Sequence, residues 1–384
     1  MELDFIWTCG GAGICSQPGM HQKFSNPINP MEVKQSGAFS RTRQGSKNLA
    51  PLIALGLLAL AAPVDAGTLY ASSAAGGPGE LYILDPLSGS VLHDIGPLND
   101  ETDYNYGITG LAFDPASGKL YGSTANSDPV VAAMLVTIDI ATARVTVVGP
   151  FNAGNTGSKP ATMADLSFNP VSGKLYGIAS VGGPQLYSIN LASGQATVVG
   201  SSGIASTTGG GLAVSAAGVF YAEPTSTRFG TYNPTTGAYS NIASPGHPVG
   251  GAYAALAFDE HGVLFGIDLG ADLPPSAELV TINPLTAAVT DIGASLPSID
   301  AIAFQPVIPP PTLVNAKILG NAFQFSFSGA PGGSYTVLST TNLTLPSASW
   351  NVEGAPTAVG SGQFQFTSTP TANDPKRFYQ VRTP

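Results

Sequence analysis

Residues 110–122 read GLAFDPASGKLYG, and residues 165–177 read DLSFNPVSGKLYG. Looser copies are GLAVSAAGVFYA at 211–222 and ALAFDEHGVLFG at 255–266. A half copy, GTLYA, stands at 67–71, and a last fragment, AIAFQP, at 301–306. A second unit follows each time: ELYILDPLSGSVLHDIG (80–96), MLVTIDIATARVTVVG (134–149), QLYSINLASGQATVVG (185–200), RFGTYNPTTGAYSNIA (228–243) and ELVTINPLTAAVTDIG (278–293). The apolar cores of the first unit start at Leu111, Leu166, Leu212, Leu256 and Ile302, spaced by 55, 46, 44 and 46 residues. Self-similarity at such a period is the mark of a propeller or a solenoid.

Each repeat offers four short strands, LAF, KLYG, LYxI and xTVVG, labelled A to D. Short alternating strands separated by Gly or Asx turns are an antiparallel pattern. Asp85, Asp139, Asn190, Asn233 and Asn283 each close strand C, where an Asx side chain accepts from the backbone two residues on and starts a turn. This structural role accounts for all five without a ligand. The first repeat, from residue 67, has B, C and D but no A, whereas 301–306 is an A strand with nothing after it. The fragments complete one another, so the sequence predicts an all-β fold: a five-bladed β-propeller over 67–306 with 1+3 strand closure. An open solenoid would need capping repeats and would leave both fragments unpaired.

These repeats resemble exported bacterial propellers built on LYxIDPxTGxxTxIG and GLAFxPxTGxLYG units. The resemblance covers residues 67–306 and implies the fold, not an activity. A Pro-rich linker, 307–311, follows, and residues 312–384 show period-two alternation at Phe323, Phe325 and Phe327, at Tyr335 and Val337, and at Phe364 and Phe366. That pattern suits a small β-sandwich of fibronectin III or immunoglobulin character. Trp350, Phe378 and Tyr379 are expected in its core, and Lys376, Arg377 and Arg382 on a solvated edge. The segment resembles a C-terminal module of large exported bacterial proteins.

Of the 384 residues only 10% are charged while 43% are hydrophobic, so a packed core is expected rather than disorder. The net charge of −10 argues against a nucleic-acid partner, whose phosphates need clustered bases. Lys34, Arg41, Arg43 and Lys47 precede the apolar run Leu49–Ala62 and the small residues Val64-Asp65-Ala66. That order reads as a signal peptide over 31–66, with 1–30 as an upstream extension, and it implies a secreted, periplasmic or cell-surface location without membrane insertion after cleavage. Removing residues 1–66 takes away five bases, four acids and both cysteines, Cys9 and Cys15, leaving a net charge of −11.

Chemistry is harder to find. Without cysteine the mature chain has no thiol nucleophile, and neither a P-loop nor a G-x-S-x-G elbow occurs. His93, His247 and His261 fall in an outer strand, an inter-blade loop and an A–B turn, too dispersed for one metal. Asp165 and Asp300 sit where inner strands begin, near the expected axis, and are the candidate catalytic carboxylates for a glycoside hydrolase or lyase. Asp100, Glu101 and Asp103 would suit Ca²⁺, although the EF-hand order is missing; otherwise no cofactor is expected. The A–B and C–D turns are uniform, whereas the B–C and D–A connections vary, so a binding face is expected on the variable side. Tyr104, Tyr106, Phe151, His247 and Tyr253 would form it, recognising an extracellular polysaccharide or protein. A structural envelope component is the third reading.

Overall fold

The computed structural model describes residues 8–10, 14–16, 67–74, 79–125, 131–156, 159–180, 183–205, 210–307, 311–320, 322–329, 333–360, 362–369 and 377–382. The expected upstream extension and signal lie outside these residues, as do Pro309, Pro310 and Lys376. The exception is a short ribbon, Thr8–Gly10 against Ile14–Ser16, whose register sets Cys9 opposite Cys15.

From residue 69 to 304 the chain forms five four-stranded antiparallel sheets, here I to V, besides a two-residue ribbon at 155–160. Sheet I comprises Ile299–Phe304, Leu69–Ser73, Glu80–Leu84 and Val91–Pro97; its strand A comes from the far end of the sequence. That strand pairs antiparallel with Leu69–Ser73, with Ile302 opposite Ala71 and Phe304 opposite Leu69. Sheet II is Ile108–Phe113, Leu120–Thr124, Met134–Ile138 and Val145–Pro150. Sheet III is Asp165–Asn169, Lys174–Ser180, Pro184–Ile189 and Ala196–Gly200. Sheet IV is Leu212–Val214, Phe220–Thr225, Arg228–Tyr232 and Tyr239–Ala243, and sheet V is Ala252–Phe258, Leu264–Leu269, Ala277–Ile282 and Val289–Ala294. This is a β-propeller-type repeat architecture, and its A strands neighbour one another in the order I, II, III, IV, V and back to I.

The aromatic positions of the repeat explain how the sheets meet. The Phe that ends LAF in one sheet lies against the aromatic of KLYG in the sheet before it. The centroid distances are 5.3 Å for Phe113 on Tyr70, 5.7 Å for Phe168 on Tyr121, 5.7 Å for Phe258 on Tyr221 and 5.0 Å for Phe304 on Phe265. Such a pair adds about 0.5–1.5 kcal/mol beyond its buried area. At the III–IV seam Val214 replaces the Phe, and Tyr176 meets Phe220 instead, at 4.8 Å.

All five C–D turns have six residues, 85–90, 139–144, 190–195, 233–238 and 283–288. In each the Asx Oδ1 accepts the backbone N–H two residues on: Leu87, Ala141, Ala192, Thr235 and Leu285 donate at 2.8–3.0 Å. The fifth residue is left-handed throughout: Gly89, Ala143, Gly194, Gly237 and Ala287. At Gly194 a second constraint acts, because a Cβ there would run into the carbonyl oxygen of Gly149 at the end of the preceding sheet's strand D. The terminal Gly of TVVG is thus a seam residue.

Residues 312–382 form two further antiparallel sheets. Thr312–Leu319, Ala322–Ser328, Gln363–Ser368 and Thr357–Gly360 make one; Asn351–Gly354, Thr336–Thr340 and Phe378–Arg382 make the other. Phe323, Phe325, Phe327, Tyr335, Val337 and Phe364 share one core cluster, with Tyr379 packed against it and Phe378 buried. Trp350 departs from the expectation: it is only half-buried and lies outside that cluster. It follows a short 3-10 turn, and its Nε1 donates to the Leu345 carbonyl at 3.1 Å, which fixes the ring over its own loop. Arg377 pairs with Glu353 at 2.9 Å.

Candidate functional site

Near their N-terminal ends the inner strands of neighbouring sheets approach closely. Immediately before the A-strand hydrophobe stand Gly110, Asp165, Gly211, Ala255 and Ala301. The small residues have a steric reason: a Cβ at Gly110 would lie 2.8 Å from the Cα of Asp165. Only sheet III places a functional side chain here. Asp165 is fully buried, and its Oδ2 accepts the amides of Leu212 at 2.8 Å and Leu256 at 3.0 Å, while Oδ1 accepts that of Leu166 at 2.8 Å. One carboxyl thereby ties the inner strands of sheets III, IV and V. Burial pushes its pKa well above the usual carboxylate range, against the pull of the three amides. Asp300 lies one repeat position before that of Asp165, two residues ahead of Ile302, stays partly accessible, and is raised by burial to about 7.

A second cluster joins sheets IV and V at the end where the variable connections lie. His247, in the eight-residue connection 244–251, sets Nδ1 2.9 Å from Asp268 Oδ1. Its Nε2 is 2.8 Å from the Ser226 carbonyl and 3.2 Å from Glu223 Oε1; the second contact is ionic, without hydrogen-bond alignment. Glu223 Oε2 accepts the Tyr253 amide at 2.6 Å, Asp268 Oδ2 accepts that of Val249 at 3.0 Å, and the Tyr253 hydroxyl donates to the Gly246 carbonyl at 2.6 Å. Glu223 and Asp268 are fully buried. The hydrogen bond to Asp268 and then the ionic contact with Glu223 raise His247 to about 10, and burial raises Glu223 to about 7. The cluster can hold one proton-rich imidazole between two acids and pin a loop; both carboxylates are shut off from solvent.

Glu223 and Asp268 were not among the residues singled out from the sequence. Their signal is faint but readable: FYAEPT puts Glu223 where other B strands carry Ser72, Ser123, Ile178 or Ile267, and LFGIDL puts Asp268 one residue further on, where they carry Ser73, Thr124 or Ala179. In sheets I and II that serine reaches the next sheet's chain, Ser72 donating to the Ile108 carbonyl and Ser123 to that of Met163. Glu223 does the same across the IV–V seam by accepting from Tyr253.

The five residues expected on one binding face do lie in or beside D–A connections, but not all face outward. Tyr106, Phe151 and Tyr253 are 1%, 0% and 0% exposed. Each connection turns back over a seam, and its large apolar residue fills the top of that seam; this corrects the expectation that their rings form a surface. Tyr104 is half-buried, edge-on to Tyr106 at 5.3 Å, and His247 keeps a sliver of exposure. Asp100 accepts from the Thr102 amide and hydroxyl, both at 2.7 Å, from the Tyr104 amide at 3.1 Å and from the Tyr106 hydroxyl at 2.8 Å. The Thr102 and Tyr106 hydroxyls hold its pKa down at about 2. It staples its loop, while Glu101 and Asp103 point to solvent. No group of three or more His, Cys, Asp or Glu side chains shaped for a metal occurs among the described residues. His93 lies on outer strand D, and His261 sits 3.6 Å from Asp259 in its A–B turn.

The class so defined is an all-β repeat protein of β-propeller type. A family described as "Repeat of unknown function (DUF6923)" matches residues 69–258, from strand B of sheet I to strand A of sheet V. No curated protein matches. Among solved structures, TolB from Acinetobacter baumannii is similar at 12% identity, over 63% of this chain and 67% of that one, with a TM-score of 0.36. A likeness that distant bears on neither activity nor partners.

Proposed function

We propose that the chain is an exported, non-catalytic binding or interaction protein. Its scaffold is a five-bladed β-propeller closed by Ile299–Phe304, carrying a fibronectin III-like sandwich at its C-terminus. Recognition of an extracellular polysaccharide or protein falls to the face that bears the B–C and D–A connections. The observation that carries this is the contrast between the two ends of the sheets. The C–D turns are all six residues long, whereas the D–A connections range from four to fourteen and the B–C connections from two to nine. Scaffolds of this kind hold one end constant and vary the loops that meet ligand. Hydrolysis of a glycoside needs two available carboxyls, and the burial of Asp165 under three amides weighs against that reading. Export rests on the leader, and no helix among the described residues is long and apolar enough to cross a membrane.

The test is a polysaccharide and extracellular-protein binding screen on the purified chain, repeated with Tyr104→Ala and Glu101→Ala. Retention on a partner that falls at least tenfold in these variants, at unchanged melting temperature, supports the proposal. Sugar release that disappears in Asp300→Asn would replace it with the hydrolase reading.

A further inference from the structure

At the end opposite the variable loops, the axis between the A strands opens into a cavity of about 330 Å³. That is the small end of the ligand-site range. Its side-chain walls come from the apolar A-strand residues, and the only charged residues lining it are Asp259 and Glu260.

The backbone phase makes the site more than an apolar hole. Asp114, Ser215, Asp259 and Gln305 give their N–H to the partner strand or turn, to Lys119, Val219, Val263 and Thr68 respectively. Residues two before them do likewise in an antiparallel ladder, so the intervening residues turn N–H and C=O to the axis. Two of these inward amides prove the phase directly: Leu212 and Leu256 donate to Asp165. One level down, Val214 donates to the Ser167 hydroxyl at 3.0 Å. Phe113, Phe168, Phe258 and Phe304 stand at that same level and line the cavity, so their backbone N–H and C=O groups face into it.

The geometry points to a binding site for a neutral mono- or disaccharide in this axial cavity. Hydroxyls both donate and accept, so they can answer N–H and C=O groups that alternate around a ring. Apolar flanks suit the C–H faces of a sugar. Anions are disfavoured by Asp259 and Glu260 at the rim, and 330 Å³ is too small for a folded peptide segment. This site lies on the other end of the molecule from the proposed recognition face and does not depend on it.

The experiment is saturation-transfer NMR on the purified protein with glucose and cellobiose, and with tetramethylammonium and acetate as charged probes. Ala216 and Val307 line the rim and are exposed, so Ala216→Trp and Val307→Trp would obstruct the mouth without entering the core. At least one of the two sugars should bind saturably, weakened tenfold or more by each Trp variant. Absence of saturable binding by both sugars overturns the inference. So does binding indifferent to both folded Trp variants, or preference for either charged probe.

Discussion

A single carboxyl, that of Asp165, links three inner strands, and its substitution should cost stability before anything else. Asparagine keeps one acceptor but turns an NH2 toward amide donors. Asp165→Asn should therefore lose about 1–3 kcal/mol, the cost of a lost acceptor and a buried unmet donor, as read by urea unfolding. Glu223 and Asp300 predict a pH dependence. Both have folded pKa values near 7 against ordinary values of 4.5 and 3.8, so the folded state holds their protons more tightly. The stability they confer is complete below about pH 4 and is lost as pH rises through 7. His247 acts in the same direction in a higher window, its contribution intact below 6.5 and lost as pH rises through about 10. The urea midpoint should accordingly fall between pH 5 and pH 8, and Glu223→Gln should remove roughly 2 kcal/mol of that fall. A midpoint that does not fall over this range, or the same slope in the variant, would show that the cluster does not titrate there.

Among the elements, the C–D turns set the seams. Gly194→Ala combines a left-handed backbone with an overlap on the Gly149 carbonyl, and should destabilise by about 1–3 kcal/mol. The reverse change at an equivalent turn, Ala143→Gly, relieves a left-handed alanine and should stabilise by up to about 1 kcal/mol. Thermal melts of the pair check both signs. These turns were fully legible in the sequence because their physics is local: an Asx side chain reaches two residues ahead wherever the chain folds. Phe113, Phe168, Phe258 and Phe304 were legible only as apolar positions. Which aromatic each would meet depends on how neighbouring sheets lie together, and no spacing within one repeat encodes that.

For the whole molecule, the pairing of Ile299–Phe304 with Leu69–Ser73 joins segments more than 200 residues apart. Deleting residues 299–384 removes that strand and leaves Leu69–Ser73 an open edge beside unfilled seams, so the product should be insoluble or lack a cooperative melt. Deleting only 312–384 should leave the melting transition of the sheets within a few degrees, since the tail has its own core cluster. Calorimetry of the two truncations separates these outcomes.

The repeat pattern alone determined the strands, their grouping in fours, the Asx turns and the complementarity of the two end fragments, because strand period and turn chemistry act over a few residues. Tertiary structure decided the rest. It turned Tyr106, Phe151 and Tyr253 inward, made Asp165 a hub, and gathered Glu223, His247 and Asp268 from two strands and a loop. Burial and convergence depend on register across seams, where each side chain's surroundings come from a neighbouring repeat.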